Sequence, residues 1–211
     1  MQFAKKEKVT RVDRLSKLTK KDELFESLVT LQNEINVGHD TKVIAVTSIE
    51  NDLLSASLAK ALALTYSFND SKTLIIDANM FNPSLEKVLD DSEEVNISIL
   101  NQGDENLSIR HQTTSINENL DAVCFVKETY PGNVFKSQII QKMIENEGQY
   151  EHFIIIVPSI KEHKEIELLR EVVQSIVLVV QKSVTKKKDI YEAIAFCQTR
   201  QLPLAKTVIV E

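Results

Sequence analysis

The sequence of 211 residues predicts an α/β protein, a single doubly wound domain around a mostly parallel sheet. Three observations predict it. Near-continuous Ile/Val runs of strand length recur along the chain; stretches with apolar residues at three- and four-residue steps separate most of them; and no repeat, low-complexity tract or linker divides the whole. Strands that read as apolar on both faces belong to a sheet covered on both sides.

Residues 1–22 hold Lys5, Lys6, Lys8, Arg11, Arg14, Lys17, Lys20 and Lys21 against Glu7, Asp13 and Asp22. The segment carries +5 and the remainder of the chain −11, and it has no sustained apolar face. It reads as a flexible basic arm, with residues 23–211 forming the domain; its charge suits contact with an anionic membrane surface or an acidic partner. From Asp22 the spacing of Leu24, Phe25, Leu28, Leu31 and Ile35 predicts a helix that Gly38 ends. Lys42 to Ser48 then reads as a buried strand, and Leu53 to Phe68 as an apolar helix. Further strands are expected at Thr73–Asp77, Asn119–Val126, His152–Val157, Ser175–Val180 and Lys206–Val210. Helices are expected at Phe135–Glu147, Glu165–Gln174 and Lys187–Arg200.

Composition removes several classes of function. Four glycines stand where average usage would give roughly 15. Little backbone is therefore available to wrap closely around phosphate. Cys124 and Cys197 lie far apart inside apolar runs, which predicts buried, reduced side chains and no metal-ligand spacing. His39, His111, His152 and His163 are scattered and read as surface imidazoles. With no tryptophan, no basic aromatic-rich stretch and net charge −6, a nucleic-acid module is not expected. No apolar run approaches the roughly 20 residues of a membrane span, and the first residues lack a secretory signal, so the protein reads as cytoplasmic.

In sheets of this class chemistry collects at the carboxyl ends of the strands. The residues there are Ser48-Ile49-Glu50-Asn51-Asp52, Asp77-Ala78-Asn79-Met80-Phe81-Asn82-Pro83 and Val157-Pro158-Ser159-Ile160. Together with their flanks TLQNEINVGHDTKVIAVTS, TLIIDANMFNPS, NENLDAVCFVKETYPGN and YEHFIIIVPSI, these phrases resemble, in order and spacing, the tyrosine kinases of bacterial capsule and exopolysaccharide operons, relatives of the ParA/MinD ATPases. The likeness runs from about Glu26 to the last strand. It implies a P-loop NTPase fold, ATP and magnesium as the family's ligands, and partners of two kinds: a membrane-embedded polysaccharide chain-length modulator or an active kinase paralogue.

The resemblance also locates what is missing. Laid on this chain, the Walker A glycines fall on Asp52 and Leu54, the lysine on Ser55 and the magnesium-binding hydroxyl on Ala56. Glu50 and Asp52 would repel a triphosphate. Lys60, five residues beyond Ser55, reads as a surface lysine and not as a replacement. The family's D-x-D-x-R-x-P phrase keeps Asp77 and Pro83 but has Asn79 and Phe81 for the second acid and the arginine. The Walker B aspartate becomes Ile156, which cannot hold a magnesium water. An isolated Asp77 reads as a strand-end or turn residue. The ring-building E-x-x-R-x-x-R helix matches at Glu26 only, with Val29 and Gln32 for both arginines, and Tyr66, Tyr130, Tyr150 and Tyr191 are dispersed where active relatives cluster terminal tyrosines.

The expectation is a catalytically inactive, kinase-like regulatory or scaffold protein with no catalytic, cofactor or metal site. The alternatives are an active kinase or ATPase with an atypical nucleotide site, and a ParA/MinD-like membrane or partner adaptor. Asp90, Asp91, Glu93 and Glu94 read as a solvated face, Lys186-Lys187-Lys188 as an exposed helix start and Tyr130-Pro131-Gly132-Asn133 as a turn.

Overall fold

The computed structural model describes residues 23–36, 42–89, 99–100, 114–125 and 139–210. The basic arm, the acidic run at 90–94, the Tyr130 turn and three of the four glycines (Gly38, Gly103 and Gly132) lie outside the described residues.

In chain order the elements are α1 (Glu23–Ile35), β1 (Val43–Ser48), α2 (Asp52–Phe68), β2 (Thr73–Asp77), β3 (Ile99–Leu100), β4 (Thr114–Asn117), β5 (Leu120–Phe125), α3 (Ile139–Asn146), β6 (His152–Ile156), a 3₁₀ turn (Glu165–Leu169), β7 (Ser175–Gln181), α4 (Lys187–Thr199) and β8 (Leu204–Val210). The strands form one sheet in the order β3-β5-β2-β6-β1-β7-β8, all parallel, with β4 added antiparallel on β5. This is the doubly wound, mostly parallel α/β arrangement that the sequence predicts.

Alternation along each strand explains why the runs are apolar throughout. Ile44 and Val46 of β1, with Ile154 and Ile156 of β6, face α1 and α2; Val43, Ala45, Phe153 and Ile155 face α3, the 3₁₀ turn and α4. Every residue of β1, β2, β5 and β6 is buried. Helix α2 is covered on all sides, with Leu54 through Ser67 buried without a break. Its Ala and Ser residues allow close approach to the sheet, and its buried hydroxyls bond its own carbonyls, as Ser57 Oγ to Leu53 O (2.8 Å) and Thr65 Oγ1 to Ala61 O (2.9 Å).

Three expectations are corrected. The helix expected over Glu165–Gln174 is only the 3₁₀ turn, because Gln174 is pinned to the start of β1: its Oε1 accepts from the Lys42 and Val43 amides (2.7 and 2.9 Å) and its own amide bonds Val43 O. Lys60 is not on the surface. It is 2% exposed, and its Nζ donates to Val88 O at 3.1 Å, beneath the segment that follows β2. His152 is also buried, its ring tilted against Tyr66 with centroids 4.1 Å apart, while His163 is half-buried against Phe81. Cys124 and Cys197 are free and buried as expected. Strands β3 and β4 add pairings that no sequence pattern announced.

Candidate functional site at the strand ends

Strand β1 leads into α2 on one face of the sheet, and its neighbour β6 leads into the 3₁₀ turn on the other. Adjacent strands whose connections diverge in this way open the crevice where ligands bind in this class of fold. Asp52, Asp77, Asn79 and Ile156 all come to that place.

The β1–α2 connection is three residues, Ile49, Glu50 and Asn51. Two of its three amides already have acceptors. Ile49 N–H donates to Val179 O (3.3 Å) and Asn51 N–H to Ser48 Oγ (3.0 Å). Asn51 caps α2 by accepting from the Leu54 amide at 3.2 Å, and Ser55 N–H bonds Asn51 O. Leu54, Ser55 and Ala56, the other three positions of the family's loop, are turned into the buried body of α2 and have 2%, 0% and 0% exposure.

On the other side, the segment after β6 continues to pair with β1. Val157 N–H donates to Val46 O, Ile160 N–H to Ser48 O (2.9 Å), and Thr47 Oγ1 to Pro158 O (2.8 Å). The Ser159 amide donates to Asp52 Oδ1 at 3.0 Å. Above them Lys161 Nζ bridges Asp189 (2.8 Å) and Glu50 (3.1 Å); these bonds raise the lysine and lower Asp189 from their ordinary values.

Asp77 closes β2 and is fully buried. Its Oδ1 accepts from the Asn79 amide (3.0 Å) and its Oδ2 from the Ser84 and Leu85 amides (2.7 and 2.8 Å). Burial pushes its carboxyl up to about 6, against the pull of those three donors, and Asp52 nearby adds to the rise. Asn79 Oδ1 accepts from the Asn82 amide at 3.1 Å, while Asn79 Nδ2 is buried with no hydrogen-bond partner among the described residues. Ile156 ends β6 directly opposite Asp77 in register and is fully buried. Phe81, at the family's arginine position, stacks on His163 with centroids 3.7 Å apart and joins the segments after β2 and β6.

Sequence reasoning missed Asn51, Asn82, Ser84 and Ser159 as the partners that tie these ends together. Asn51 and Asn82 carried a signal, as Asn near strand ends, where such side chains cap helices and turns, whereas Ser84 and Ser159 bond Asp77 and Asp52 through backbone amides that no side-chain pattern announces. Among the described residues no group of three or more His, Cys, Asp or Glu side chains is arranged to hold a metal ion, and no helix is long and apolar enough to cross a membrane.

The fold resembles that of the ParA/MinD P-loop ATPases, and solved structures show the likeness. The chain superposes on the chimerical protein CapA2B2 with a TM-score of 0.73 at 18% identity, covering 92% of this chain and 88% of that one. It superposes on the kinase domain of the Escherichia coli tyrosine kinase ETK with a TM-score of 0.69 at 12% identity, covering 90% and 76%. The ParA family ATPase from Chlorobium tepidum gives 0.60 at 14%, covering 81% and 73%. No protein-family model matches the chain, and no curated protein matches it by sequence. The structural neighbours are thus bacterial tyrosine kinase domains and ParA/MinD ATPases, the two groups that the strand-end phrases resemble.

Proposed function

We propose that this protein is a kinase-fold subunit without catalysis, serving capsular or exopolysaccharide biosynthesis as a regulatory or scaffold component in the cytoplasm. The β1–α2 connection carries the reading. It is only three residues long, its Ile49 and Asn51 amides bond Val179 O and Ser48 Oγ, and the first α2 amides, Leu54 and Ser55, bond Asn51; this leaves no cradle for a triphosphate, and a magnesium-bound nucleotide does not fit the residues present. Two further features support it. No lysine follows the connection at the family's position, since Ser55 is there, and Lys60 is engaged with Val88 O. Ile156 offers no oxygen to a metal water.

The partner fitting this reading is a membrane-embedded chain-length modulator, met through its cytoplasmic part, or an active kinase paralogue; the basic residues 1–22 suit an anionic membrane beside either. Nucleic acid is not a partner in this reading. Gln32 and Val29 argue for a stoichiometry unlike an arginine-built ring, because Gln32 bonds Asn69 of its own chain at 3.4 Å and neither side chain offers a guanidinium fork.

A thermal-shift titration tests the central claim. Millimolar ATP with magnesium is expected to move the melting temperature by less than about 1 °C, whereas a bound ligand at 100 times its Kd would add about 2.7 kcal/mol. Saturable stabilisation of several degrees, abolished in Asp77→Ala, would mean an active nucleotide site and overturn the proposal.

A further inference from the structure

The strand-end crevice holds an anion of its own. Asp52 stands in the first turn of α2, a 17-residue helix whose amino end favours negative charge. One carboxylate oxygen accepts from the Ser159 backbone amide after β6, and the other from Asn82 Nδ2 after β2 at 3.3 Å. Its carbonyl also accepts from Ser84 Oγ at 3.4 Å. A single residue therefore joins the chain ends that follow β1, β2 and β6, across separations of 30 and 107 residues.

We infer that the Asp52 carboxylate is a built-in substitute for a bound anion, locking the three strand-end segments into one arrangement without any ligand. In switch proteins, phosphate and its metal hold such segments, and release follows when they leave. Here the charge is covalently part of α2 and cannot leave. The surface these segments form is consequently presented to partners at all times. Neighbouring bonds act in the same direction: Asn51 Nδ2 donates to Gln181 Oε1 at the end of β7 (3.1 Å), and the Lys161 bridge ties Glu50 to Asp189 on α4.

The inference rests on the reading that the crevice takes no nucleotide, and the two fail separately. Stabilisation of the wild-type chain by ATP and magnesium would overturn that reading; the lock is tested by hydrogen exchange and by anion rescue. In the wild-type chain the Ser159 amide is expected to be protected. In Asp52→Ala, exchange over residues 157–161 and 78–85 is expected to rise at least tenfold while β7 and α4 stay unchanged, and the melting temperature to fall by about 4–8 °C.

Formate, which replaces the carboxylate that alanine lacks, is expected to restore part of both losses relative to chloride at equal ionic strength, and to leave the wild type unmoved. Asp52→Asn, which keeps an acceptor for the Ser159 amide but not the charge, is expected to fall between. It also serves as the readout if the alanine variant does not fold. An unprotected Ser159 amide in the wild type, exchange in Asp52→Ala within twofold of wild type, or an equal response of both proteins to formate and chloride would each overturn the lock.

Discussion

Restoring an aspartate at the family's Walker B position is expected to unfold this protein and not to revive it. In Ile156→Asp the lost side chain is fully buried, packed with Val46, Ile154 and α2, and its removal alone forfeits roughly 1.5–3 kcal/mol of apolar burial. The new carboxylate would lie directly opposite Asp77 in register and on the same face of the sheet, since both share the alternation of Ile75 and Ile154, which pack against α2. Asp77 is itself raised by burial, with three backbone amides as its donors. A second buried carboxylate beside it adds several kcal/mol of desolvation and repulsion.

The sum, on the order of 5 kcal/mol or more, approaches the whole stability of an ordinary domain. Urea denaturation followed by circular dichroism should therefore show no native baseline for Ile156→Asp, with or without magnesium, while Ile156→Val loses only about 1 kcal/mol. A folded Ile156→Asp within 1 kcal/mol of wild type, and stabilised further by magnesium, would show that the crevice still has the elements of a metal site.

The central strands were readable because burial on both faces compels a run of apolar residues. HFIII and SIVLVVQ admit almost no other environment. What escaped was decided by contacts remote in sequence. Ile166, Leu169 and Val173 have helical spacing, yet Gln174 must reach the start of β1, some 131 residues away, and that single attachment leaves room for one 3₁₀ turn. Lys60 lies on a helix whose entire circumference is covered, a fact that follows from α1 and the segment after β2 and from nothing local. The same division holds at the site. Asp52, Asp77, Asn79 and Ile156 could be placed together from strand ends alone, whereas the bonds from Ser159 and Asn82 to Asp52 exist only once the sheet order β2-β6-β1 brings the three ends side by side.

Asp77 is expected to make this protein less stable as pH rises from acid toward neutrality, opposite to the behaviour of a salt-bridged carboxylate. Its folded-state pKa is about 6 and its unfolded value 3.8, so between those limits the folded chain holds the proton that the unfolded chain has released. Stability then falls with rising pH across that window and levels off above about 6. The full excursion is on the order of 3 kcal/mol, and about 1 kcal/mol of it lies between pH 5 and pH 7.

Asp77→Asn removes the titration while keeping an acceptor for the Ser84 and Leu85 amides. The stability advantage of wild type over this variant should accordingly grow by about 1 kcal/mol when the pH is lowered from 7 to 5, measured by paired denaturant titrations. Asp77→Ala strips all three amides of their acceptor in a place with no solvent exposure and should cost about 3–5 kcal/mol at either pH. A gap between wild type and Asp77→Asn that stays constant or shrinks on acidification would mean that the three amide donors, alone or with a bound cation, outweigh burial and hold the carboxylate ionised. The sign of one pH difference thus decides whether burial or its donors govern this acid.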